Sequence, residues 1–525
     1  MASIPRNRGI GCADLVAAAV SALLMAGAFY PRFLFPLAWV GLVPLLRALR
    51  GKRRGECILL SLVFGVIFHA VLNFYIASAV FKAGEFLPYV PWQRIAVAGL
   101  AWSGAVGVCC VGPALFGLAY SWRLSSERTS EPSPAAVALL WTVLEYARSF
   151  GPLGYTWGDI GYTQTACIPV LQIASLVGVY GLSYLIAWVN AGIAELSCGP
   201  WRSGLFNLLA AGVTIIVLCL VANRIYGAWF EGHEWPEHRF VRIVQPGLSI
   251  VDKQWKSRNP GDICTEWQLS VAGRGHPQLV VWPETAVLEF LPWTARTRQA
   301  MASLAKKLKA WLIVGTVELD RAGNQYNCAV SLSPEGQKEG IYRKQHLVPF
   351  GEYVPLRGRW SFMEFFAFRE RDFSPGHGMT LLPVANGLSG AVICFESMFP
   401  RIARMLTRKG AQTIIILTND EWLAGTTAPT LHLAMAQMRA VENRRFVIRA
   451  ANTGISAIIS DKGRIMKQLG EGEVGIVEGK VRVNSSLSAY SRIGESWLIL
   501  GFALWLILTS FRVHHDCKQD IRGIC

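Results

Sequence analysis

The chain has 525 residues, 52% of them hydrophobic and 16% charged, with a formal net charge of +16 and a mean hydropathy of +0.34. Soluble domains carry about 25% charged residues, so an ordinary soluble protein is excluded. The basic residues are spread over short segments between apolar runs and are not interleaved with aromatics on one face, which excludes nucleic acid and leaves anionic lipid headgroups as the contact for the excess charge.

A bilayer core about 30 Å thick takes about 20 apolar residues per helix. On that measure eight spans are expected, near 11–30, 32–49, 57–79, 95–121, 134–149, 169–195, 203–222 and 496–511. The first is read as an uncleaved helix, because it is long and soon followed by a second span and the loop GKRRGE. With the N-terminus inside, the cytoplasmic side receives Arg6, Arg8, Arg47, Arg50, Lys52, Arg53, Arg54, Arg123, Arg128, Arg202, Arg512, Lys518 and Arg522. The other side receives Arg32, Lys82, Arg94 and Arg148, so the positive-inside bias fixes the orientation. The expected division is 1–224 for seven spans, 225–495 for an external domain, 496–511 for the last span and 512–525 for a cytoplasmic tail. Glu145 is placed near the outer interface with Arg148.

From about residue 239 the pattern changes to short β-branched runs and amphipathic helices. Strands are expected at 239–245, 278–282, 311–318, 328–333, 389–395, 413–418, 445–452 and 456–460, and helices at 296–309, 398–409 and 428–444. Near-continuous apolar strands followed by helices indicate a covered sheet of the α/β class. The twelve cysteines include no CxxC pair, so no metal or redox site is expected. The external domain holds Cys264, Cys328 and Cys394, an odd number that leaves at least one thiol free.

Polar residues stand where apolar strands end, the usual place of ligand sites in such sheets. VVWPE ends in Glu284, AVICFE contains Cys394, and IIILTND ends in Asn419 and Asp420, with Trp422 just beyond. A helix pattern from 398 is expected to lower the pKa of Cys394 through its positive end. Glu284, after Trp282 and Pro283, suits a general base, and Lys344, beside LVPFGE, suits an oxyanion partner. Taken singly, each has a plainer reading: a buried structural thiol, a helix N-terminal acid and a surface lysine. His432 is expected to pack or cap, and His346 and His377 have no partners at metal-ligand spacing.

The order WPE, YRKQHLVPFGEYVP, CFES, TND resembles the carbon–nitrogen hydrolase (nitrilase) superfamily, and with seven spans before the domain and one after, the apolipoprotein N-acyltransferase family within it. WTVLEYARSFGPLGYTWGDIGYTQ (141–164) is similar to that family's segment around its fifth crossing. The resemblance implies an eight-helix transmembrane bundle with an extracytoplasmic α-β-β-α sandwich. It implies Cys394 as nucleophile, Glu284 as base, Lys344 as stabiliser of the tetrahedral intermediate, Glu352 and Glu396 in support, and the backbone N–H near Phe395 in the oxyanion hole. It also implies a phospholipid donor, phosphatidylethanolamine foremost, a diacylglyceryl-apolipoprotein acceptor, a monomer, no cofactor, and a bacterial inner membrane. Trp360, Phe362, Phe365 and Phe366 are read as a lid dipping toward lipid, Phe290 and Trp293 as a second arm, and Trp255 as a lipid-site tryptophan.

Two departures bear on substrate preference. NDEWLAGTT has Leu423 and Ala424 where the family shows Phe and Gly, and His432-Leu433-Ala434-Met435 lacks the family's glutamine. A membrane-tethered amidase that passes the acyl group to water is the alternative within catalysis. A transporter with an inactive domain is disfavoured, since all three triad residues are present.

Overall fold

The computed structural model describes residues 9–84, 90–122, 133–231, 238–249, 252–253, 256, 259, 261–355, 357, 371–385 and 387–507. The expected contacts at Trp255, Trp360, Phe362, Phe365 and Phe366 lie outside them.

The N-terminal part is helical: α1 (Cys12–Gly27), α2 (Val43–Leu49), α3 (Arg54–Leu72), α4 (Phe74–Ala83), α5 (Pro91–Trp122), α6 (Pro134–Arg148), α7 (Ile168–Leu171), α8 (Ala174–Cys198) and α9 (Trp201–Glu231). Among the described residues five apolar stretches, Arg32–Leu49, Arg54–Leu72, Pro91–Ser121, Ala174–Cys198 and Trp201–Arg224, have the length and composition to cross a membrane. Several expected spans are interrupted. The stretch expected as one helix over 32–49 is a 3₁₀ turn, Arg32–Trp39 with Pro36 inside it, followed by α2, because proline removes a backbone donor and crowds the preceding turn. The span at 57–79 breaks at Asn73 between α3 and α4, and α8 kinks at Gly178, where φ is +70°. Ser133 caps α6 by accepting from Ala136 N at 3.4 Å, with Pro134 at the first helical position.

The C-terminal domain is a four-layer sandwich. One sheet runs β13 (Gly475–Arg482), β1 (His238–Gln245), β2 (Leu279–Val281), β4 (Trp311–Leu319), β5 (Gln325–Leu332), β6 (Lys338–Arg343), with β3 (Val287–Leu291) also on β4. The other runs β12 (Ile465–Leu469), β11 (Ser456–Ile459), β10 (Val447–Ala451), β9 (Thr413–Thr418), β8 (Gly387–Ile393), β7 (Leu381–Val384). Side chains alternate along a strand, and the core divides accordingly. Val241, Ile243, Leu279, Val281 and Ile313 pack between the sheets with Ile414, Ile416 and Ile448. Their neighbours Val244, Val280, Leu312 and Val314 face outward onto α11 (Ala295–Leu308), through Met301 and Leu304. The second sheet is covered by α12 (Pro400–Arg408) and α13 (Ala428–Asn443). A further helix, α10 (Cys264–Ala272), packs beside β1.

Pairing of β1 with β13, His238 opposite Arg482, brings the two ends of the domain together. Both connections to the helical part, α9 and the pair α14 (Ala489–Ile493) and α15 (Ser496–Ile507), therefore leave from one side. The inter-sheet core continues without interruption into the helices, from Ala18 and Phe64 through Tyr162 and Val179 to Met438. At this seam Val179 N donates to Glu442 Oε1 at 2.9 Å, and Tyr162 Oη and Thr156 Oγ1 both donate to the carbonyl of Met398 at 2.9 Å.

Candidate active site

The candidate residues come from both sheets and meet at their ends. Glu284 follows β2, Asn327 lies on β5 and Lys344 follows β6; Cys394 follows β8 and Asn419 follows β9. The turn that carries Glu284 is tight: Thr285 has φ +49°. It also lies against β4, where a Cβ at Gly315 would come 2.1 Å from Pro283 O and 2.7 Å from Glu284 Cα. Only glycine admits that approach, so the G in WLIVGTVE is part of how the carboxylate is placed.

Glu284 Oε1 accepts from Asn327 Nδ2 at 2.8 Å and Lys344 Nζ at 3.3 Å, and Oε2 accepts from the backbone N–H of Asn419 at 2.9 Å. The two sheets are thus joined through the putting of one carboxylate between them. Lys344 Nζ also donates to Glu352, at 3.0 Å, and Glu352 accepts further from Asn327 Nδ2 and Val348 N at 2.9 and 2.8 Å. Burial opposes the ammonium, but Glu352 and then Glu284 hold its pKa above the ordinary lysine value. Burial likewise pushes the Glu352 carboxyl up, and Lys344 and Asn327 more than offset it, so that carboxylate lies below its usual range. The site keeps one fixed cation between two anions.

Cys394 stands in a left-handed conformation, φ +51°, at the start of a 3₁₀ turn, Cys394–Met398. A non-glycine residue held there is strained, as at many reactive sites. Glu396 fastens the turn: its carboxylate accepts from Ile393 N at 2.8 Å on one side and from Gln345 N at 2.7 Å, His346 N at 3.2 Å and Tyr342 Oη at 2.9 Å on the other. The lysine segment and the cysteine segment therefore share one buried acid, whose pKa burial raises to about 7. The thiol itself is pushed up to about 12, by burial first and then by Glu284, against the opposing pull of Lys344. The expectation that a helix would lower it is corrected: α12 begins only at Pro400, and the 3₁₀ turn between is too short to supply a helix field. Attack therefore requires removal of the proton by a base.

Behind Cys394, His432 Nε2 lies 2.7 Å from Ser397 Oγ and 3.2 Å from Cys394 O, with Nδ1 3.0 Å from Asp420 Oδ1. Burial raises the Asp420 carboxyl, and Arg449 and His432 then pull it well below its usual range. His432 packs as expected, and Asp420 belongs to this support layer. Phe395, next to Cys394, stacks on His346 at 5.7 Å.

Trp293 is corrected as a lipid arm. It is buried and donates from Nε1 to Thr316 Oγ1 at 3.2 Å, within the core under β3. Phe290, on the other face of β3, is 39% exposed. Trp422 is exposed on the turn Asp420–Leu423, beside Ala424, whose carbonyl accepts from Lys82 Nζ of α4 at 2.6 Å. Cys264, Cys328 and Cys394 are all free thiols, the first exposed and the second buried. Asn327 and Lys253 escaped the sequence reading. Lys253 Nζ donates to Thr285 Oγ1 at 3.1 Å and Glu284 O at 3.4 Å. Asn327 lies in QYNCAVSL, a strand that begins three residues before its expected start.

A family model of carbon–nitrogen hydrolases matches residues 240–488, and one of the apolipoprotein N-acyltransferase N-terminal domain matches 21–192. The chain is 32% identical over 527 residues to an apolipoprotein N-acyltransferase of Geobacter metallireducens, covering 98% of each chain. It is 32% identical to that of Pseudomonas paraeruginosa over 74% of this chain and 77% of the other. With that of Agrobacterium fabrum it shares 30% identity over 79% and 83%.

Proposed function

The chain belongs to the apolipoprotein N-acyltransferase family, an acyltransferase branch of the carbon–nitrogen hydrolases, and on that premise we propose how it N-acylates lipoproteins. The observation that carries the mechanism is the placement of a high-pKa thiol, Cys394, within the field of Glu284 and Lys344 where both sheets end. Glu284 takes the thiol proton as sulfur attacks the acyl carbonyl of a phospholipid. The oxyanion is met by Lys344, kept charged by Glu352, and by the backbone N–H of Phe395. The ester C–O bond breaks, Glu284 protonates the departing oxygen, and the lysophospholipid leaves an acyl thioester on Cys394. The α-amino group of a diacylglyceryl cysteine then attacks the thioester, the C–S bond breaks, and an amide forms. No cofactor takes part.

The same reading places eight helices across a bacterial inner membrane, both termini in the cytoplasm and residues 225–495 outside. Three of the four basic residues assigned to the outer side support it. Arg32 donates to Thr165 O at 2.9 Å and Gln437 Oε1 at 2.8 Å, Lys82 to Ala424 O at 2.6 Å, and Arg148 pairs with Asp159 at 2.6 Å. These exceptions to the positive-inside bias are structural ties to the domain and its seat. The donor is phosphatidylethanolamine and the enzyme a monomer in this proposal.

The test is intact mass spectrometry of the purified chain with phosphatidylethanolamine alone. A hydroxylamine-labile acyl adduct is expected, absent from Cys394→Ala, and discharged by a diacylated lipopeptide. Release of free fatty acid with no transfer to peptide would favour the tethered hydrolase instead.

A further inference from the structure

Two side chains near Cys394 come from the helical part, Tyr75 on α4 and Tyr155 on the segment after α6. The Tyr155 ring lies along Phe395, with centroids 6.4 Å apart and planes 30° apart. The Tyr75 ring packs on Trp157 at 4.8 Å. The two hydroxyls are 2.7 Å apart. Tyr155 Oη donates to Oδ1 of the buried Asn73 at 2.6 Å, and Asn73 Nδ2 points to Cys109 Sγ at 3.9 Å. A phenol has one proton. Since that of Tyr155 goes to Asn73, the bond between the hydroxyls uses the proton of Tyr75. Tyr75 Oη is left as a hydrogen-bond acceptor, one hydrogen bond away from the ring that lies along Phe395, the residue next to Cys394, on the side of the membrane helices.

We propose that Tyr75 Oη receives an N–H of the acceptor's α-amino group and aligns that amine for attack on the Cys394 thioester; this rests on the acyl-transfer reading above. The two half-reactions ask different things of such a group. In the first, the ester carbonyl and the departing oxygen are both acceptors and pair with donors, and Tyr75 offers none. The second brings a neutral amine, whose lone pair must face the acyl carbon while an N–H is anchored elsewhere. As the N–C bond forms, nitrogen becomes positive and its N–H groups become stronger donors. The contact with Tyr75 therefore strengthens toward the transition state, where it raises rate. The C–S bond then breaks, and Glu284 carries the proton from nitrogen to the thiolate, so no further reactant is needed. The position suits a lipid-anchored amine, which arrives from the helices and not from open solvent.

The experiment is Tyr75→Phe in the full chain, which keeps the ring on Trp157. Thioester formation from phosphatidylethanolamine and its discharge by a diacylated lipopeptide are followed separately by intact mass. Thioester formation should stay within about twofold of the native rate, while discharge slows by about tenfold or more, the scale of one hydrogen bond to a developing charge. Formation on the variant also reports that its site has folded. Equal slowing of both steps would assign Tyr75 a structural role and overturn the proposal, as would an unchanged discharge. A native chain that forms no thioester would instead remove the acyl-transfer reading itself.

Discussion

Two clusters of buried charge are built on similar parts and wired differently. Around Lys344, one ammonium faces Glu284 and Glu352, and Asn327 bridges the carboxylates at 2.8 and 2.9 Å. Around Arg148, one guanidinium donates to Asp159 at 2.6 Å and lies 3.3 Å from His69 Nε2, while Glu145 accepts from Trp141 Nε1 and Ile160 N at 2.9 and 3.0 Å. In the first cluster every oxygen of the two carboxylates has a donor. In the second, two carboxylate oxygens, Glu145 Oε2 and Asp159 Oδ2, have no partner among the described residues, nor do His69 Nδ1 and Arg148 Nε, whereas in the first the unpaired atom is Asn327 Oδ1; His69, Glu145 and Arg148 line a cavity of about 40 Å³. A carboxylate with both oxygens paired is held more closely in place, as chemistry requires. The looser cluster holds α6 to the segment on which the domain is seated, a task one strong ion pair performs. Burial of charge alone therefore does not distinguish the two clusters; the pairing of their carboxylate oxygens does.

The largest expected effect breaks the first cluster. Lys344→Met removes the cation that faces the oxyanion, and thioester formation should fall by about a thousandfold. Adding Glu352→Gln should restore none of it, because the missing group is the charge itself. Arg148→Met should act on the other quantity. It leaves Asp159 buried and unpaired, at a cost of about 3–5 kcal/mol, seen as a lower melting temperature in detergent, while the molecules that remain folded keep their activity within a few fold. Arg148→Met with Asp159→Asn should recover much of the loss. If the double variant is no better than the single one, the pair is not what holds α6, and the contrast between the clusters fails.

The same contrast explains what could be read beforehand. Cys394, Glu284 and Lys344 stand inside short motifs at strand ends, so a single sequence exposes them. Asn327 and Tyr75 bond partners distant in sequence, 25 and 43 residues away for Asn327 and 80 for Tyr75, and neither stands in a motif. In the domain, the expected strands were those buried on both faces, such as TIIILT, every residue of which is buried. β12 escapes a pattern of apolar runs because it is an edge strand with three exposed residues, β13 because it is an edge strand that is only half-buried, and β7 because it carries Pro383, which only an edge tolerates. Trp293 was misplaced because an aromatic beside proline reads alike in a lipid arm and in a core. Its indole N–H partner, Thr316, lies on β4, out of local view.

A smaller effect tests the wiring at the thiol. With its pKa near 12, resting Cys394 should react slowly with iodoacetamide at pH 7. The rate should rise about tenfold per pH unit up to pH 10, following the thiolate fraction. A rate flat above pH 7 would mean a thiolate already formed, and Glu284 would then have no proton to take.

The smallest effect concerns Lys253, which borders the Lys344 cluster without belonging to it. Burial lowers its pKa from 10.5 to about 8, while Glu284 pulls the other way; Lys256, Glu266 and Glu421 also face it. A lysine depressed on folding costs stability wherever the unfolded chain holds a proton that the folded chain sheds more readily. The cost is full below pH 8 and fades as pH rises from 8 toward 10.5. Lys253→Met should therefore be slightly more stable than the native chain at pH 7 and equal to it near pH 10.5. Its rate should move the other way, because Nζ holds both the carbonyl of Glu284 and the hydroxyl of Thr285, the strained residue of that turn. A fall of about three- to tenfold at pH 7 is expected from the loss of one such bond. Higher stability with lower rate in one variant would separate positioning of the base from support of the fold. A variant that loses both would place Lys253 with Arg148, among the residues that only hold the structure together.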